Sequence, residues 1–332
     1  MNGLGGPLIS TLLASKINND AARRILFRFF QSETSHIYVF TSLKRVPIMR
    51  WSGRRQSNNV EDRRGIGGRT MAAGGGVGTI LVLLAVMFLG GDPAAVLQQM
   101  NQSNVGTGST AVDVNTPEAQ RAKEFVGVVL ADTEDVWNDL FTRAGREYRE
   151  PTLVLFSGGV ESACGFAGTS VGPFYCPADE KVYIDLAFFD ELERRFKAQG
   201  DFAQAYVIAH EIGHHVQKVL GIEERTRAAR GRMSEREAND LSVRQELQAD
   251  YFAGVWAHHA QRTKQILEDG DVEEAMNAAA AVGDDNIQRQ TQGRITPDSF
   301  THGTSAQRAK WFRKGLESGE INGGDTFAAG AL

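Results

Sequence analysis

The chain has 332 residues and carries 36 Lys and Arg against 41 Asp and Glu, a net charge of −5. The charge is unevenly spread, because residues 1–116 hold 12 basic against 6 acidic side chains and residues 117–332 hold 24 against 35. A C-terminal part at −11 excludes nucleic acid as its partner, since phosphate binding needs a basic surface.

Residues 1–48 show no periodic core pattern, and residues 49–69 form a basic segment. Residues 70–91 then run for 22 positions without a charge, about 33 Å as a helix and enough to cross a bilayer's hydrocarbon core. Gly74, Gly75, Gly76 and Gly78 weaken the first half, so residues 77–89 carry the reading. Residues 1–69 hold 12 Lys and Arg against 4 acids, and Asp92 follows the apolar run at once. By the positive-inside rule this predicts a single-pass protein of the cytoplasmic membrane. Its N-terminus is cytoplasmic and the chain after Asp92 is periplasmic or extracellular. The basic segment also suits anionic lipid heads. A cleaved signal peptide and a buried core helix are the alternatives; no small-x-small cleavage site is evident, which favours an uncleaved anchor.

Residues 92–116 read as a flexible linker, rich in Asn, Gly, Ser and Thr from 101 onward. Residues 117–320 are expected to form one domain, followed by a tail at 321–332. Pro117 opens a helical pattern to about Arg143, with Phe125, Val128, Val129, Val136, Trp137 and Leu140 as its core face. Residues 151–156 and 181–188 are the best strand candidates, with Val, Ile, Leu and aromatics between turn residues. Cys164 and Cys176, the two cysteines of the chain, stand twelve apart in a Gly-rich loop. In an oxidising compartment they form a disulfide that holds the loop against the sheet. Zinc binding by the pair is disfavoured, because the spacing lacks a C-x-x-C unit.

Residues 202–220 predict an amphipathic helix with Asp201 as N-cap and Gly221 as its stop. Within it, His210-Glu211-Ile212-Gly213-His214 places two imidazoles one turn apart on one face, where both can bind one zinc ion. Glu211 faces the metal's open position and can take a proton from zinc-bound water. His215 points about 100° away and reads as a polar neighbour. A catalytic site needs a third ligand, and the downstream helical pattern around E-L-Q-A-D-Y-F-A-G puts Glu246 and Asp250 on one face. Glu246 is then the third ligand. Asp250 is the acceptor that fixes a ligand histidine by its other ring N–H. An exposed acidic pair is the plainer reading, preferred were the first motif absent. His258 and His259 fall at a helix end, where hydrogen bonding is commoner than catalysis. His302 sits in a loop just before a helical run that contains Trp311, Phe312 and Leu316.

H-E-I-G-H-H-V-Q followed by E-L-Q-A-D-Y-F-A-G resembles the bacterial neutral zinc metallopeptidase family, a gluzincin-like group. Met49-Arg50-Trp51, the run from Asn59 to Arg64, the stretch from Gly172 to Leu186, and Thr301-His302-Gly303-Thr304 support the resemblance. It extends from Met49 to about Ser318. It implies a zincin fold with His210, His214 and Glu246 as zinc ligands and Glu211 as base. It also implies an edge strand beside the active-site helix that pairs with an extended substrate, for which residues 182–186 are the candidate, a central strand being equally open. A late-loop histidine in zincins supplies an oxyanion donor besides the metal, the role expected of His302. Residues 1–48 fall outside the resemblance, so Met49 is a candidate initiator and a genuine cytoplasmic extension is the alternative.

The combined expectation is an α+β fold, mainly helical with one small sheet, forming a membrane-anchored zinc endopeptidase that acts on peptide or protein substrates. A membrane-tethered, non-catalytic zinc-binding protein and a zinc hydrolase of a non-peptide amide are the rivals. The first would close its zinc site with a fourth protein ligand.

Overall fold

The computed structural model describes residues 49–65, 113–168 and 171–332. The expected membrane helix at 70–91, most of the linker at 92–116 and the extension at 1–48 lie outside the described residues. Among the described residues, no helix is long and apolar enough to cross a membrane.

Among the described residues, six strands occur in chain order: β1 (Val60–Asp62), β2 (Thr152–Phe156), β3 (Gly159–Ser162), β4 (Gly165–Gly168), β5 (Phe174–Cys176) and β6 (Lys181–Asp185). The helices are α1 (Pro117–Arg143), α2 (Ala187–Arg194), α3 (Asp201–Val219), α4 (Ile222–Arg230), α5 (Glu235–Lys264), α6 (Asp271–Ala281), α7 (Asp284–Gln292) and α8 (Ser305–Ser318). The fold is mostly helical with a small sheet, as expected. Thr116 caps α1 by accepting from the Ala119 N–H, and Pro117 supplies a preset φ where no helical N–H partner is needed. The six residues expected on its core face are all buried.

The main sheet has the order β1-β2-β6-β5, with β1, β2 and β6 parallel and β5 antiparallel at one edge. Successive residues alternate between its faces. Leu153, Leu155, Val182 and Ile184 join the helical core, while Val154, Phe156 and Tyr183 pack on the other face with Val160, Ala167 and Cys176. Both faces are covered, which is why these strands read as continuous apolar runs. β6 lies inside the sheet, so residues 182–186 are not its edge; β5 is the edge strand that contacts α3. The strand stops at Asp185, whose Oδ1 accepts from the Ala187 N–H at 3.0 Å and so opens α2. Cys164, in the turn of the β3–β4 hairpin, is disulfide-bonded to Cys176 of β5 and fastens the hairpin to the sheet.

Residues 49–65 pack as part of this domain. Met49 and Trp51 are buried, Trp51 packs edge-on against Phe125 at 5.3 Å, and β1 pairs with β2 in the register Val60 to Leu153. A Cβ added at Gly65 would lie 3.6 Å from Val114, so these two described residues lie side by side. A single membrane crossing between residues 65 and 113 would separate β1 from β2.

Residues 321–332 are likewise part of the domain. Thr326 is fully buried and donates to the Arg244 carbonyl at 2.6 Å, and Gln248 Nε2 donates to the Gly324 carbonyl at 2.8 Å. These bonds tie the end of the chain to α5. On the other side of α5, Gly254 and Gly315 let α5 and α8 approach until a Cβ at Gly315 would lie 2.0 Å from the Tyr251 carbonyl oxygen.

Candidate metal centre

α3 begins one residue earlier than the sequence suggests, with Gly200 at the cap position. Asp201 does not cap it, because its carboxylate accepts from the Met49 N–H at 3.0 Å and from Trp51 Nε1 at 3.1 Å. α3 ends at Val219, with Gly221 left-handed at φ 72°. His210, Glu211 and His214 therefore sit mid-helix, where the backbone is most rigid. The Gly between the histidines has a steric purpose: a Cβ at Gly213 would lie 2.8 Å from the Ala249 carbonyl oxygen. Its absence lets α5 come close enough to present Glu246.

One donor atom from each of His210, His214 and Glu246 lies within 4.8 Å of the other two. Glu246 Oε2 is 3.2 Å from His210 Nε2, and Oε1 is 3.4 Å from His214 Nε2. The remaining ring nitrogens are occupied elsewhere. His210 Nδ1 donates to Asp250 Oδ1 at 2.8 Å, and His214 Nδ1 donates to Gln217 Oε1 at 3.0 Å. Both rings are thus held with Nε2 toward Glu246, the tautomer a metal ligand needs. Two imidazole nitrogens and one carboxylate oxygen form a donor set that zinc favours. Glu211 is on the same helix, largely buried, and its carboxylate has no hydrogen-bond partner among the described residues.

Asp250 is fully buried and carries more than one task. Arg308 Nε donates to its Oδ2 and Nη2 to its Oδ1, each at 2.9 Å, and Tyr206 donates its hydroxyl to Oδ1. Burial would raise the Asp250 pKa, but Arg308 and His210 outweigh it and hold the group ionised, below the usual carboxylate range. Arg308, Tyr206 and Gln217 are not singled out by the sequence motifs. Arg308 has a trace there, since it lies three and four residues before Trp311 and Phe312, on the apolar stripe of its helix. Gln217, three residues past His214, is the H-V-Q glutamine, and it passes the contact on to Gln248 at 3.1 Å.

His215 is buried away from the centre. Its Nε2 donates to the Arg149 carbonyl at 2.6 Å and its Nδ1 accepts from the Tyr175 hydroxyl at 3.0 Å, tying α3 to β5. Burial lowers its pKa and keeps it neutral. His258 and His259 donate to the carbonyls of Leu316 and Gly319 at 2.8 Å each and pin the end of α8.

His302 is half-exposed, with Nδ1 3.1 Å from Asp284 Oδ1. Asp284 Oδ2 also accepts from the backbone N–H groups of Thr301, His302 and Gly303 at 2.7, 2.6 and 3.0 Å, so one carboxylate fixes both ring and loop. The Asp284 bond raises the His302 pKa, burial opposes it, and Glu246 adds to the rise.

A glutamate-bearing helix crossing a helix with two histidines one turn apart forms a candidate metal centre of the two-histidine, one-carboxylate class. The chain belongs to the family described as "Putative neutral zinc metallopeptidase", which matches residues 49–327. It is 48% identical over 285 residues to "Uncharacterized protein YpfJ" of Escherichia coli K12, covering 84% of this chain and 99% of that relative. It is also 43% identical over 261 residues to "Uncharacterized protein Rv2575" of Mycobacterium tuberculosis H37Rv, covering 74% of this chain and 86% of that one. No solved structure matches the chain.

Proposed function

We propose that the protein is a zinc-dependent endopeptidase in which His210, His214 and Glu246 hold the metal and Glu211 is the general base. The observation that carries this reading is the convergence of those three donors within 4.8 Å beside a carboxylate that has no other partner among the described residues. Zinc, when bound, supplies a Lewis acid for a carbonyl and lowers the pKa of water to about 7. Glu211 takes the proton of the attacking water and passes it to the leaving amine. Asp250 and Gln217 keep the two ligand rings in their tautomers. Imidazolium His302, oriented by Asp284, donates from Nε2 to the oxyanion that develops on the scissile carbonyl. An extended peptide adds to the outer edge of β5, the strand that packs on α3.

Glu211→Gln tests the assignment. The amide keeps the shape and cannot accept the proton, so turnover of a peptide library should fall by roughly 10²–10⁴-fold with zinc content unchanged. Substantial turnover by the zinc-loaded variant would remove Glu211 from the base role.

We propose further that the protein is held at the outer face of the cytoplasmic membrane through residues 70–91. The uncharged run supports the anchor, and the Cys164–Cys176 disulfide supports an oxidising compartment. The joint packing of residues 49–65 with the helical domain supports placing both on that same side.

A further inference from the structure

Asp201, Asp271 and Glu274 each offer one carboxylate oxygen within 4.8 Å of the other two, at the start of α3 and in the first turn of α6. Asp271 is fully buried, and its Oδ1 has no hydrogen-bond partner among the described residues; its Oδ2 accepts from the Glu268 N–H at 2.9 Å. Glu274 Oε2 accepts from the Phe202 N–H at 3.2 Å, an approach open only because Gly200 has no side chain: a Cβ there would lie 1.9 Å from that carboxylate. Among the described residues no Lys or Arg forms an ion pair with any of the three, while the neighbouring Glu268 pairs with Arg50. Three acids gathered without a cation, one with a buried oxygen left open, lack a positive partner.

We propose that Asp201, Asp271 and Glu274 form a second metal site, for a hard divalent cation of the calcium class, that clamps residues 49–51 to the first turn of α3. The donor set is oxygen alone, which suits calcium and not zinc. Carboxylates on two helices and hydrogen bonds to Met49 and Trp51 make the cation the junction of three chain segments. The site is separate from the histidine centre, since His210 stands nine positions after Asp201, about 13.5 Å along the helix. Burial and the neighbouring acids push Asp271 up to about 6 and Glu274 up to about 7, the direction expected of carboxylates that repel one another until a cation is bound.

The test uses the full-length, zinc-loaded protein. Titration with Ca²⁺ in a calorimeter should show one equivalent bound. Tb³⁺ should give emission excited through Trp51, whose indole N–H touches Asp201, and Ca²⁺ should quench it by displacement. Asp271→Asn and Glu274→Gln should each weaken Ca²⁺ binding at least about tenfold, as loss of one charged ligand of a calcium site does, with zinc content and circular dichroism unchanged. Trp51→Phe should extinguish the emission and keep the calcium heat. Absence of calcium heat in the parent protein would overturn the proposal, as would unchanged heat in both carboxamide variants. Should Asp271→Asn fail to fold, Glu274→Gln decides alone, because its side chain is only partly buried.

Discussion

A guanidinium taken out of water beside a carboxylate contributes little net stability while paired, yet removing one partner strands a buried charge. Arg308 and Asp250 are such a pair, with side-chain exposures of 4% and 0%. Arg308→Met should therefore cost about 3–5 kcal/mol in denaturant unfolding, and Asp250→Asn added to it should restore part of that loss. Strictly additive losses would mean that the two side chains do not depend on each other. At His302 the tautomer decides the chemistry. With Nδ1–H committed to Asp284, Nε2 carries a proton only in the imidazolium form, so the ring can donate to an oxyanion only while charged. Asp284 raises the His302 pKa, so the charged form persists to higher pH than in a free imidazole and is lost as pH rises through the raised value. Turnover should show an alkaline limb that moves to lower pH in Asp284→Asn. In His302→Ala, kcat should fall by roughly a hundred- to thousandfold, with KM changed less and the alkaline limb gone. A limb unmoved in both variants would assign it to another group.

Between elements, the metal centre depends on how closely α3 and α5 approach, and Gly213 sets that distance. Gly213→Val would force Ala249 and its helix outward and draw Glu246 from the two imidazoles. Zinc affinity measured by chelator competition should drop by at least about tenfold, as it does when the support of a ligand is disturbed, and more steeply than helix content. Equal affinity would show that Glu246 reaches the metal whatever the helix spacing. The elements differ in how much of them the sequence reveals. α1 and α3 are legible because Thr116, Pro117 and Gly221 are local signals that act on their own backbone. β1 and β5 have three residues each, too few for a period to show, and exist because β2 and β6 offer them edges. Whether β6 is an edge or a central strand depends on what pairs with it, and an apolar run of five residues is the same in both places. His210, Glu211, His214, Glu246 and Asp250 are legible from helix periodicity. Arg308 and Asp284 reach the site from other helices, and only the tertiary packing of α7 and α8 brings them there.

For the whole molecule, the joint packing of residues 49–65 with the rest of the domain restricts how the chain can meet a membrane. An epitope inserted at the exposed turn of Ser52 and Gly53 and another after Leu332 should share the same accessibility in intact spheroplasts. Opposite accessibility would mean that the chain crosses once between them and that β1 is not paired with β2 in the cell. The same pairing bears on the order of folding. Val60 meets Leu153 across 93 positions, while β2 meets β6, and β6 meets β5, within a few tens of residues. Closing the longer loop has the larger entropic cost, so β2, β6 and β5 with the helices over them are expected to form a body that β1 joins last. What arrives last with β1 also carries Met49 and Trp51 onto the start of the helix that bears His210 and His214, so the domain's final folding step would end at the helix of the proposed zinc centre.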